Sequence, residues 1–166
     1  MIGVSSEPSS ALERLYRKCL RYPFGDAIFS RLVCFRAPYF GSIRPRVTAL
    51  SASRVEVLVR KRRRVTNHIG TVHAIAMANA CEMAAGTLTE AATPPTSRWI
   101  PRGMTIEYRR KANSNVRAVA WLDEPIAQER AYDVVVPVDV IDDAGDVVVH
   151  ADIAMYVSPR PQRTAS

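Results

Sequence analysis

The first 38 residues place apolar side chains at helical spacing. Ser9 or Ser10 can cap a helix in which Ala11, Leu12, Leu15, Tyr16, Cys19 and Leu20 form an i, i+3, i+4 stripe, with Glu13 in the first turn and Tyr22-Pro23 as the stop. A second helix is expected over Gly25 to Phe35, with Ile28, Phe29, Leu32, Val33 and Phe35 largely on one side before Pro38. From Arg46 the period becomes two. Val47 and Ala49 alternate with Thr48 and Leu50, Ser51-Ala52-Ser53 turns, and Val55, Val57 and Val59 alternate with Glu56, Leu58 and Arg60. Beyond Pro94-Pro95, Met104, Ile106 and Tyr108 alternate with polar residues, and an Asn113-Ser114-Asn115 turn leads to Val116, Ala118, Ala120 and Leu122, which reads as a hairpin. Tyr132 to Ile141 is a further strand whose Pro137 points to an edge or a bulge. The run Asp142-Asp143-Ala144-Gly145-Asp146 then turns into a last strand from Val147 to Val157.

Between the second and third strands lies Asn67–Thr89, NHIGTVHAIAMANACEMAAGTLT, a polar turn followed by a long apolar helix. Short turns between strands favour antiparallel pairing, and one apolar helix wedged among them favours a sheet curled around it. Between His73 and Thr89 the one charged residue is Glu82. A helix apolar on nearly all sides should be wrapped by the domain, and a carboxylate buried there is costly without a role. Glu82 is therefore the candidate catalytic acid; the alternative is that it accepts hydrogen bonds from a buried Arg or Tyr.

Composition narrows the setting. At 166 residues the chain fits a single domain over 10–158, with a helical extension over 10–38 and flexible ends at 1–9 and 159–166. Cys19, Cys34 and Cys81 are odd in number and lie in apolar surroundings, so they read as reduced thiols of a cytoplasmic protein rather than a disulfide or metal framework. Residues 1–10 lack the basic start and apolar core of a signal peptide, and no run approaches the ~20 apolar residues of a membrane span. The net charge of +7, with 20 arginines among 23 basic residues, invites a phosphorylated or polyanionic partner. The cationic run Arg60-Lys61-Arg62-Arg63-Arg64 is either a solvated strand end or a phosphate-binding rim. Nucleic acid is disfavoured, because no aromatic stacking surface accompanies those arginines.

The order of elements, with one central helix gripped by a curved antiparallel sheet, resembles the α+β hotdog fold. Asn67-x-x-Gly70-x-x-His73, followed by Glu82 nine residues after the histidine, is similar to the pattern of phenylacetic-acid-type (PaaI-like) acyl-CoA thioesterases. The stretch Asn67-His68-x-Gly70-Thr71-x-His73-Ala74 also resembles a less characterised hotdog branch with that signature, and Ile106-Glu107-Tyr108-x-Arg110-x-Ala112 matches the family's third strand in type. The resemblance spans roughly residues 43 to 158. It departs at two places: Ala74 and Ile75 stand where the family has paired glycines, and no hydroxyl occurs in Trp99-Ile100-Pro101-Arg102-Gly103, where the family often has one, which leaves Thr96 and Ser97 as the candidate stand-ins.

The resemblance implies thioester hydrolysis with coenzyme A as part of the substrate and no separate cofactor or metal. That chemistry needs a group to activate water or attack the carbonyl, and donors for the developing oxyanion. Glu82, with a pKa raised by burial, fits the first need, and the free N–H groups of the helix start around His73, Ala74 and Ile75, with Gly70 and Thr71 shaping the turn, fit the second. Asn67 and His73 complete the catalytic candidates, although Asn67 also suits a turn, His73 a structural role, and Thr71 the helix N-cap. Nine helical residues separate His73 from Glu82 by roughly 13 Å. One chain cannot bring both to one carbonyl, so a homodimer with antiparallel central helices is expected, Glu82 acting on the neighbour's site; dimers of dimers remain open. Arg62, Arg63, Arg64, Arg109 and Arg110, with Lys111, are the candidates for the coenzyme A phosphates. The competing reading is a non-catalytic acyl-CoA or lipid-binding hotdog domain. A hydratase of the same fold is disfavoured, since no Asp and His lie at the spacing those enzymes use.

Overall fold

The computed structural model describes residues 10–126 and 130–161, so the expectations for residues 1–9 and 162–166 lie outside the described residues. Helix α1 (Ala11–Cys19) is capped by Ser10, whose Oγ accepts from the Glu13 N–H at 3.2 Å. Helix α2 (Gly25–Arg36) follows so closely that a Cβ on Gly25 would sit 2.1 Å from the Cys19 carbonyl oxygen, which is why glycine occupies the corner. A 3-10 turn over Pro38–Ile43 then leads to strands β1 (Arg46–Leu50) and β2 (Arg54–Val59), and a second, over Arg63–Val65, precedes the central helix α3 (Ala74–Ala92). Strands β3 (Ser97–Tyr108), β4 (Val116–Trp121), β5 (Tyr132–Asp142) and β6 (Val147–Pro159) complete the chain.

All six strands form one antiparallel sheet in the order β1-β2-β4-β5-β6-β3, curled around α3: a hotdog fold. Valines on the concave face, among them Val55, Val57, Val116, Val138 and Val149, are fully buried against Ala80, Cys81, Met83, Ala84 and Leu88 of α3. The small residues of α3 let the strands approach closely; Gly86 leaves 3.3 Å between the place of a Cβ and the Trp99 ring.

Two expectations are corrected. The segments on either side of Asn113-Ser114-Asn115 are not a hairpin: β3 pairs with β6, from Ser97↔Pro159 to Tyr108↔Val149, while β4 lies between β2 and β5. Seven residues separate β3 from β4, too many to force a tight turn, and β3 finds its partner across the sheet. Pro137 lies where the β4–β5 ladder has ended, at Ala120↔Val138, so β5 is paired there with β6 alone and is locally an edge, as Pro137 leads one to expect. Helix α2 does not bury one apolar side: Phe29 is fully buried, whereas Ile28, Leu32 and Phe35 are exposed. No described helix is long and apolar enough to cross a membrane.

Candidate active site

Asn67 organises the turn that starts α3. Its Oδ1 accepts the N–H groups of Ile69 (3.2 Å) and Thr71 (3.1 Å), its Nδ2 donates to Thr71 Oγ1 (2.7 Å), and its backbone N–H donates to the Thr71 carbonyl (2.9 Å). Gly70 closes the turn at φ 79°, in the left-handed region that glycine adopts without strain. The His73 N–H donates to the Val65 carbonyl (2.8 Å) and the Val72 N–H to that of Ala112 (2.9 Å), so the turn is tied to both flanking segments. Asn67 is thus a turn residue, while its second Nδ2 proton has no acceptor among the described residues.

The N-cap is His73 rather than Thr71. The Nδ1 of His73 accepts the Ile75 N–H at 3.0 Å, whereas the Thr71 hydroxyl is buried two residues earlier and already receives Asn67. One amide expected to face an oxyanion, that of Ile75, is therefore occupied. The Ala74 and Ala76 amides have no acceptor among the described residues, which leaves them as the open donors of the first turn. Tyr108, 34 residues away on β3, donates its hydroxyl to the Ala74 carbonyl (3.3 Å), and burial, followed by the charge of Cys81, pushes its phenol pKa up. Sequence spacing gave no signal for this contact, because only the fold brings the end of β3 to the start of α3.

Glu82 is exposed, which corrects the expectation of a buried carboxylate. With Ile75 (57% exposed) and half-buried Ala78 it forms an i, i+3, i+7 stripe that the sheet of a single chain leaves uncovered. Asn79, buried three residues before Glu82, donates from Nδ2 to Ser42 Oγ (3.1 Å), and its Oδ1 has no partner among the described residues. This buried acceptor is a second polar group that the sequence pattern does not reveal. Cys81 lies on the opposite side, fully buried; burial, with the Asp139 charge second, pushes its thiol up to about 12, which removes it as a nucleophile near neutral pH. The other two cysteines are free thiols as well, Cys19 buried and Cys34 half-buried.

The candidate phosphate ligands fall into two groups beside the helix start. Arg62, Arg63 and Arg64 immediately precede Val65, whose carbonyl holds His73, and Arg109 and Arg110 follow Tyr108. Arg62 is half-buried, its Nη2 has no partner among the described residues, and burial, then the charges of Arg44 and Arg64, lowers its pKa. Arg63, Arg64 and Lys111 are exposed, and Lys61 Nζ donates to the Asn113 carbonyl (2.9 Å). Arg109 is paired with Glu107 (2.8 Å) and Arg110 with Asp146 (2.9 Å), so a phosphate would have to compete with those carboxylates. Of the two stand-in hydroxyls, Ser97 is buried and Thr96 exposed. His68 is exposed, and His150 belongs to a separate cluster with Asp139 (2.7 Å) and Asp152 (3.7 Å). Among the described residues no group of three or more His, Cys, Asp or Glu side chains, this cluster included, is arranged to hold a metal ion.

A family model described as a domain of unknown function, DUF4442, matches residues 25–157. The chain belongs to the DUF4442 family. This DUF4442 protein is similar to a crystallised structural-genomics target, APC5556, at 45% identity and a TM-score of 0.79, over 91% of this chain and 100% of that one. A Pseudomonas aeruginosa protein of unknown function, described as a probable thioesterase, is 22% identical with a TM-score of 0.73, over 84% and 97%. A Haemophilus influenzae thioesterase is 15% identical with a TM-score of 0.64, over 76% and 87%. The last two likenesses establish the fold the DUF4442 chain shares with them. No functionally curated protein matches it.

Proposed function

We propose that this DUF4442 protein is an acyl-CoA thioesterase of the PaaI-like type, acting at two equivalent sites shared across a homodimer. Glu82 of one chain is the general base or nucleophile, and the Ala74 and Ala76 amides at the start of the other chain's α3 receive the oxyanion, with Asn67 beside them. The observation that carries the reading is the exposed stripe on α3: the one carboxylate between His73 and Thr89 lies on it with Ile75, which follows the open helix start, yet roughly 13 Å from that start. Only a second, antiparallel copy brings the two ends together. The twelve-residue β3 is an edge of the sheet, so its outer backbone N–H and C=O groups are available for pairing with a second copy. Arg62–Arg64 and Arg109–Arg110 flank the helix start where the phosphates of coenzyme A would lie, and the acyl group would run along Ile75 and Ala78 of the exposed stripe, since Met77 is buried in the core. The names of the fold relatives agree with thioester chemistry.

A second reading, a non-catalytic acyl-CoA or lipid-binding domain, is favoured by one specific observation: the Ile75 amide is held by His73, with alanine and isoleucine where the family pattern has glycines. Hydrolysis of an acyl-CoA panel by the wild type and Glu82→Ala separates the readings. Thiol release by the wild type that Glu82→Ala abolishes is expected; tight binding with no thiol release, unaltered by the substitution, would leave the binding domain.

A further inference from the structure

The outer face of α2 is apolar where a solvated helix face should be polar. Phe24 (77% exposed), Ile28 (40%), Leu32 (46%) and Phe35 (88%) recur along one stripe, and Tyr22 and Tyr39 are exposed at its two ends. Phe24 and Ile28 also line a cleft of about 440 Å³ with Arg31 and Arg46, and none of the candidate catalytic residues lines it. Residues 11–46 hold eight arginines and lysines against two carboxylates, nearly the whole excess of a chain whose net charge is +7. Both carboxylates are neutralised locally, Glu13 by Arg17 and Asp26 by Arg46. Lys18, Arg21, Arg31, Arg36 and Arg44 are exposed and have no ion pair among the described residues.

We propose that this face docks on an anionic lipid bilayer, the α2 stripe entering the boundary between headgroups and acyl chains while the surrounding cations meet lipid phosphates. An apolar helix stripe bordered by arginines and lysines has the chemistry of an interfacial helix, in which apolar burial and attraction to anionic headgroups add. A second copy of the chain is the poorer occupant: a twofold contact would set this cationic patch against itself. The inference does not depend on the thioesterase reading, since its readout is membrane binding.

The test is co-sedimentation of the full chain with vesicles of phosphatidylcholine alone and with added phosphatidylglycerol. Binding to the anionic vesicles should exceed that to the neutral ones by at least about tenfold and should weaken with salt. Phe35→Ser, and separately Arg31→Glu with Arg36→Glu, should each cut it by about tenfold or more while Tm and far-UV spectrum stay unchanged. Phe24→Asn is a further variant, at a left-handed position (φ 61°) that asparagine tolerates. Equal binding to both vesicle types, or no binding to either, overturns the proposal. So does concentration-dependent self-association that Phe35→Ser abolishes, which would assign the face to a second copy.

Discussion

Helices α2 and α3 are both rich in apolar residues and have opposite surroundings. Helix α3 meets β2, β3, β4, β5 and β6 and opens to solvent along Ile75, Ala78 and Glu82, whereas α2 rests on α1, β1 and the 3-10 turn and leaves Ile28, Leu32 and Phe35 outside. Side-chain size accounts for much of the difference. The inward positions of α3 are mostly Ala, Gly, Cys and Met, which let a curved sheet close around it; the bulky residues of α2 stand on both of its sides, and one layer covers only one of them. On each helix the uncovered stripe is the informative part: on α3 it carries a carboxylate, on α2 it carries none and is ringed by arginines.

The comparison can be broken at several points. Glu82→Gln, on the open stripe of α3, should lower acyl-CoA turnover by about 10²–10⁴ without moving Tm, as loss of a general base does. Met83→Ala, on the enclosed side one residue later, should instead cost about 2–5 kcal/mol of stability, read from denaturant midpoints, because its fully buried side chain leaves a cavity. Asn67→Ala should cost about 1–2 kcal/mol through the lost turn hydrogen bonds, beyond any effect on turnover. Phe35→Ser on α2 should stay within about 0.5 kcal/mol, since that ring is already in solvent. A large loss there, or none at Met83, would mean the two helices are covered in some other way.

The fold was legible because period-two valines and one alanine-rich segment each admit few arrangements: strands curled on a helix. Strand order was less so. Alternation in Met104–Tyr108 marks a strand without saying which strand lies beside it, and β3 pairs with β6, which lies about fifty residues away in sequence. The residue types around the helix start were legible, but their roles were not. The Asn67–Thr71 bond and the His73 cap on Ile75 are local contacts, although spacing alone does not choose between Thr71 and His73 as cap, whereas Tyr108 on the Ala74 carbonyl and Asn79 against Ser42 need the three-dimensional fold. The exposure of Glu82 is not legible from composition, because an apolar helix calls for cover on every side while one chain supplies only part of it. On α2 the reason is another: spacing that puts Ile28, Phe29, Leu32, Val33 and Phe35 largely on one side does not say how much of that side a neighbour covers.

The central claim is that a working site takes Glu82 from one chain and the helix start with Asn67 from another. Mixing inactive Glu82→Ala subunits with inactive Asn67→Ala subunits, and measuring hydrolysis after exchange, tests it directly. Random pairing leaves one intact site in each heterodimer, so the mixture should recover about a quarter of wild-type activity. Heterodimers that form yet recover none would contradict the shared site.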